Sequence, residues 1–306
     1  MSDASLSDST YRALQKQAKS SGRNTQELFD LYLLEGFLLR LAASTHRDAF
    51  VLKGGVLLAA YGNRRPTRDV DLAALDVSNA ADNILGLVRE IVALPADDGL
   101  AFQLDSLDAE VIRDDNEYSG IRVTAKATLS RAKLSFHVDV NVGDPIHPAP
   151  TTVTVPRLLA GEPIIVRGYP LSMVYAEKLV TAVQRGTAST RWRDLGDIWT
   201  LSHHHAVQGS ELQDAISAVA GFRQATIIPL AEALDGYPAV GQTKWAAWRR
   251  RTDNSVLPEQ LRDVVAAVVT FGDPRCPAAF QARSGITASD RGHSRRSRVR
   301  HETKRT

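Results

Sequence analysis

Cysteine is almost missing from this sequence: of 306 residues only Cys276 carries a thiol. A lone thiol closes no internal disulfide and builds no cysteine zinc cluster, which removes the disulfide scaffolds and zinc ribbons from consideration. No apolar run approaches the roughly 18 residues that a membrane span needs. The amino terminus, MSDASLSDST, is acidic and hydroxyl-rich, unlike a signal peptide. The chain is therefore expected in the cytoplasm, with no membrane partner. A net charge of one sign is lacking too, since 37 basic residues face 35 acidic ones.

That near-balance conceals a gradient. Over 283–306, eight basic residues oppose only Asp290 and Glu302, which leaves the remainder at −4. A segment of serine, arginine and histidine buries too little apolar surface to offset its ordering entropy, so 281–306 is expected to be a disordered basic tail. Such a tail either keeps the chain soluble or attracts phosphate. The rest is ordinary for a globular protein, with 43% apolar and 24% charged residues. Its length suits one large or two ordinary domains.

Asn24 followed by Glu27 has the form of a capping box, and Leu28, Leu31, Leu34, Phe37, Leu38 and Leu41 keep a helical period ending near Ser44. A short buried strand is expected over 50–53, then Gly54-Gly55 and a short helix, a turn cluster over 62–66, a strand over 67–73 and a helix over 80–94. Three strand candidates over 110–113, 121–129 and 133–142 are separated by polar turns at 114–116 and 130–131. They are suited to pair as a meander. One more extended piece, 163–169, precedes helices over about 172–185, 190–205, 210–222, 243–251 and 258–271. The pattern is α+β: a mixed-sheet lobe with flanking helices over 1–170, a mainly helical lobe over 171–280, then the tail.

Asp69-Val70-Asp71 carries the most chemical information, because residues two apart on a strand share a face. Two adjacent carboxylates resist ionisation unless a cation joins them. Oxygen-only ligands at a sheet edge suit Mg²⁺, which takes one or two carboxylates and completes its shell with water and phosphates. The plain alternative is a pair of solvated acids. Gly54-Gly55 after a strand lets backbone amides approach a phosphate. Asp139, on the strand face shared with His137 and Asn141, is a third carboxylate in need of a partner.

In this order, Lys53-Gly54-Gly55, Thr67-Arg68-Asp69-Val70-Asp71-Leu72 and Asp139 resemble the nucleotidyltransferase superfamily of the polymerase-beta type. With Ala176-Glu177-Lys178-Leu179 and Arg193-Asp194-Leu195-Gly196-Asp197, the chain is similar over about 50–201 to the AbiEii/AbiGii toxins of type IV toxin–antitoxin systems. Mycobacterial toxins that modify transfer RNA belong to the same family. The resemblance implies a nucleotidyltransferase fold, an NTP substrate and Mg²⁺ or Mn²⁺ on Asp69, Asp71 and Asp139. It further implies that Lys53, Gly54, Gly55, Thr67 and Arg68 bind the nucleotide and that Lys178 and Asp194 join Asp69 and Asp71 in catalysis. The implied acceptor is RNA, in particular the 3′ end of transfer RNA, and the implied partner is a cognate antitoxin. Two other readings stay open: an aminoglycoside-type small-molecule nucleotidyltransferase, and a nonenzymatic RNA-binding protein.

The helical patterns supply part of this independently. Met173, Ala176, Leu179, Val180 and Val183 make an apolar stripe that leaves Lys178 off the core. Trp192, Leu195 and Trp199 mark a buried face, which puts Arg193, Asp194 and Asp197 on the polar side, with Arg193 and Asp197 spaced to pair at the surface. His203-His204-His205 reads as a helix end rather than a metal site. Trp245 and Trp248 beside Arg249–Arg251 suit either RNA stacking or an amphipathic helix with a basic face.

Overall fold

Asn24 sets the first boundary in the computed structural model, which describes residues 3–113, 119–252 and 254–275. Its side chain accepts hydrogen bonds from the Gln26 and Glu27 amides at 2.8 and 3.4 Å, satisfying two donors that a helix start leaves free. Glu27 turns to Arg23 instead of closing the box. The helix begun here, α2 (Thr25–Ala43), follows α1 (Asp3–Ser21), which the polar opening residues do not announce. Leu14 and Ala18 nevertheless bury one side of α1. All six apolar residues of the expected α2 period are buried, each contributing roughly 1.5–3 kcal/mol relative to exposure. The expected tail, Cys276 and the turn over 114–116 lie outside the described residues.

Among the described residues, seven strands form one mixed sheet and ten α-helices cover it or follow it. The strands are β1 (Phe50–Lys53), β2 (Asp69–Ala74), β3 (Leu100–Arg113), β4 (Ser119–Leu129), β5 (Ala132–Val142), β6 (Thr151–Val155) and β7 (Ile164–Gly168). Their order is β3-β4-β5-β2-β1-β7-β6. β3, β4 and β5 form the expected meander, while β2 pairs with β5, and β1 with β7, in parallel. β3 is ten residues longer at its start than expected. Its pairing shifts between Gln103 and Asp108, and that irregularity erases the alternation a sequence pattern relies on.

Between β1 and β4 lie the four-residue α3 (Gly54–Leu57) and α4 (Ala81–Val92). The chain turns helical after β7, with α5 (Leu171–Arg185), α6 (Trp192–His204), α7 (Gly209–Phe222), α8 (Leu230–Ala233), α9 (Tyr237–Arg251) and α10 (Leu261–Gly272). α9 starts six residues before its expected position, because Pro238 falls in the first turn, where its missing N–H costs nothing. Trp245 and Trp248 are buried, and Trp245 donates its indole N–H to the Pro258 carbonyl at 3.0 Å. They are core residues, which overturns the stacking reading. His203 and His204 end α6, each bonding a carbonyl one turn back, and His205 reaches the Tyr61 carbonyl.

Two buried charges on α2 tie the layers. Arg40 meets Asp98 at 2.5 Å. Glu35 accepts from Arg64 at 2.6 Å and from the Leu158 amide at 2.9 Å. An ion desolvated this far stays charged only because its partners replace water.

Candidate active site

Strand register builds the site. Lys53 lies opposite Asp71, Asp71 opposite Asp139, and Asp139 opposite Arg122. Directly paired residues project to the same side of a sheet. Four strands therefore set out a row, Arg122, Asp139, Asp71 and Lys53, with two carboxylates between two cations. One position along, Ile121, Val140, Leu72 and Leu52 form the matching row on the other face, all buried in the core. Asp69, two residues before Asp71, shares the polar face.

Burial, then the charges of Asp139 and Asp69, push the Asp71 carboxyl up to about 6. Asp69 is raised for the same reasons, burial first and Asp139 next. Asp139 is held by Arg122 through two parallel contacts, Nε to Oδ1 at 2.8 Å and Nη2 to Oδ2 at 2.7 Å. Those hydrogen bonds also raise the Arg122 guanidinium above its usual range. Asp69, Asp71 and Asp139 thus share one face of the sheet, but among the described residues they do not gather into a three-ligand ion site, and Asp139 is already engaged by a guanidinium.

Gly54 turns the chain from β1 into α3 with φ of +64°, and a Cβ there would fall 1.9 Å from Asp71 Oδ2. Only glycine fits both the backbone and the approach. The Gly55 amide donates to the same Asp71 oxygen at 3.4 Å. A Cβ on Gly55 would meet Thr67 Oγ1 at 2.9 Å. Gly55→Ala should therefore push Thr67 aside and lower the nucleotidyl transfer that the resemblance implies roughly tenfold with little change in melting temperature, because small displacements at a reacting centre are costly. Initial rates and thermal melts of the two proteins check this.

Arg68 departs from expectation. It is exposed, pairs with Asp30 on α2 at 3.3 Å and does not line the cleft. The reason is strand parity: Asp69 and Asp71 share one face, so residue 68 goes with Val70 toward α2. Arg65 takes the place beside the glycines, its guanidinium lying 3.4 Å from where a Gly55 Cβ would stand.

Arg65 donates to both oxygens of Asp197, at 3.0 and 3.2 Å. Lys178 meets Asp197 at 2.9 Å and Asp194 at 2.5 Å. Asp197 is 3% exposed, so the expected surface pair with Arg193 is wrong. α6 lies against α5 along that side, and the cations of Arg65 and Lys178 draw the carboxylate inward. Burial opposes charge on Lys178, but Asp194 and Asp197 overcome it and raise its pKa. Asp194 is likewise opposed by burial, yet Lys178 lowers it.

A second network adjoins the first. Lys53 reaches Asp144 at 2.9 Å and Glu177 at 3.1 Å. Burial works against its charge, and Glu177, Tyr169 and Asp144 together hold its pKa well above the ordinary value. Arg223 at the end of α7 donates to Thr181 Oγ1 at 2.9 Å. Both networks border one cleft of about 520 Å³, whose lining includes seven cationic side chains (Lys53, Arg65, Arg122, Lys178, Arg185, Arg191, Arg223) and five carboxylates (Asp71, Asp139, Asp144, Glu177, Asp194). Arg65, Arg122, Asp144 and Arg223 were not singled out from sequence. Only Arg122 had a readable signal: the turn at Ser130-Arg131 fixes hairpin register and puts it opposite Asp139.

In fold the chain is similar to a candidate nucleotidyltransferase from Helicobacter pylori, at 17% identity and a TM-score of 0.50 over 85% of this chain and 98% of that one. The protein JHP933 of Helicobacter pylori aligns at 16% identity and a TM-score of 0.49, over 85% and 97% of the two chains. Among curated proteins none matches. Residues 36–270 match the family described as nucleotidyl transferase AbiEii toxin, type IV TA system. The chain belongs to that family of nucleotidyl transferase toxins.

Proposed function

We propose that the protein transfers a nucleoside monophosphate from an NTP to an RNA acceptor, the 3′ end of a transfer RNA, releasing pyrophosphate and blocking translation. The observation that carries this is the charge of the cleft, seven cations against five carboxylates, over a sheet floor that includes Asp71 and Asp139. A polyanionic acceptor and a triphosphate suit such a lining. An aminoglycoside is a polycation, and this lining repels it. A nonenzymatic binder would gain nothing from keeping Asp69, Asp71 and Asp139 crowded at a cost in stability.

A divalent cation, Mg²⁺ or Mn²⁺, fits Asp69 and Asp71. Among the described residues no three carboxylate, histidine or cysteine groups gather to enclose an ion. Mg²⁺ does not need them, since it binds through one or two carboxylates plus water and phosphates. Burial raises the Asp71 pKa first and the charges of Asp139 and Asp69 add to it, a repulsion that a bound cation would relieve. When bound, the cation would neutralise triphosphate charge and favour pyrophosphate departure. The chain's own groups do the rest: Gly54 and Gly55 offer a backbone seat for phosphate, Arg65 and Lys178 hold the triphosphate, and Asp194 and Asp197 keep those two cations in place. Asp139 orients the acceptor hydroxyl, and would help hold the cation were Arg122 to turn to phosphate. The acceptor oxygen, its proton passing to Asp139, attacks the α-phosphorus as the bond from that phosphorus to the bridging oxygen breaks and pyrophosphate leaves.

Incubation with α-labelled NTPs and either transfer RNA or an aminoglycoside panel tests the reading. Label should appear on RNA with Mg²⁺ and vanish with EDTA, and Mg²⁺ alone should raise the melting temperature. Label on the drugs alone would reject the RNA acceptor, and an unchanged melt with EDTA-resistant transfer would reject the metal. The family also implies an antitoxin partner. Among the described residues no helix is long and apolar enough to cross a membrane.

A further inference from the structure

The two networks of the cleft divide it into ends of different chemistry. At one end Gly55, Arg65 and Lys178 lie together, an arrangement for phosphate. At the other, Lys53 and Arg223 offset Asp144 and Glu177, in a cleft whose lining also includes Val174, Ile112 and Phe222. Tyr169 belongs to this wall, and its fully buried hydroxyl has no hydrogen-bond partner among the described residues. A charge-balanced, partly apolar end with an unsatisfied hydroxyl suits an uncharged heterocycle. The successive residues Glu177 and Lys178 on α5 face the two ends, so a single ligand spans both.

We infer that Arg223 reads the base of the bound nucleoside triphosphate, held in place by Thr181, and favours bases that carry a ring carbonyl over adenine. This rests on the nucleotidyl-transfer reading. Arg223 lines the balanced end of the cleft, with Nη1 on Thr181 Oγ1 at 2.9 Å and Nη2 3.6 Å from Glu177. Thr181 in turn donates to the Glu177 carbonyl at 2.7 Å. The threonine hydroxyl is thus committed on both sides and acts as a positioning group. The guanidinium keeps further N–H donors and has no acceptor to offer. Such a fork matches carbonyl oxygens, as on guanine, cytosine and uracil, and gives adenine's exocyclic amine nothing to donate to.

The experiment measures dissociation constants of ATP, GTP, CTP and UTP by calorimetry, with Mg²⁺, for the parent, Arg223→Gln, Arg223→Lys and Thr181→Val. The parent should bind ATP at least about fivefold more weakly than its best ligand, the lower bound for one bidentate contact. Arg223→Gln, whose side chain offers both donor and acceptor, should narrow or reverse that ratio. Arg223→Lys keeps the charge without the fork and should flatten it, and Thr181→Val should flatten it in part. A merely structural role would weaken all four nucleotides by one factor, and that result overturns the inference, as does a parent that binds all four alike or ATP best. A parent that binds no nucleotide overturns both the inference and the reading beneath it. Selective binding without transfer to any RNA sinks only the transfer reading.

Discussion

Asp71→Asn should abolish nucleotidyl transfer while making the protein more stable. The loss expected is at least about 10³-fold, or ~4 kcal/mol of transition-state stabilisation at 1.36 kcal/mol per decade. Asparagine keeps the shape and can still accept the Gly55 amide, but it removes the charge that meets a cation. The gain in stability follows from the raised pKa, about 6 in the folded chain against 3.8 for the free group. Between those values the folded state holds more protons than the unfolded one, so stability falls as pH rises through the window. Below pH 4 the penalty is absent, and above 6 it is complete. The melting temperature of the variant should therefore exceed that of the parent most at pH 7, and the gap should close toward pH 4. A variant with parental activity would remove Asp71 from the chemistry; one that melts lower at pH 7 would show that Lys53 attracts Asp71 more than the other aspartates repel it.

Asp197→Ala should be the most destabilising single change in the cleft. The residue is 3% exposed and is the hub between Arg65 and Lys178. Without it two buried cations face each other with Asp194 as the remaining acid, and breaking a buried pair from one side costs about 3–5 kcal/mol. Chemical denaturation should show that loss, while Arg193→Ala, one turn away and exposed, should change stability by no more than about 0.5 kcal/mol. Equal losses from the two variants would contradict the network.

Both residues show what the sequence allowed and where it stopped. The D-x-D strand was legible because the strand period fixes which side a residue takes, whereas the glycine corner, Lys178 and Asp194 were read mainly through the family resemblance, with the helix period agreeing in part. The α2 period was legible for the same reason as the strand. Asp197 was misplaced because periodicity finds the apolar face of α6 but not the side that packs against α5. Arg68 was taken over Arg65 because motif adjacency outweighed strand parity, though parity was already available. The parallel register of β2 with β5, which brings Asp71 beside Asp139, has no local signal, since a crossover leaves pairing to the whole sheet. α1 and the start of β3 were missed where polar residues mask a half-buried face.

The charged row across the sheet has a consequence for how this toxin comes into being. Its members stand at positions 53, 71, 122 and 139, and the cations that complete the cleft depend on Asp194 and Asp197. Contacts so distant in sequence form late, after the intervening chain exists. A growing polypeptide still inside the ribosome holds every aspartate of the floor yet lacks the clamp on Lys178. Nucleotidyl transfer by this fold is thus expected only once most of the chain has been made.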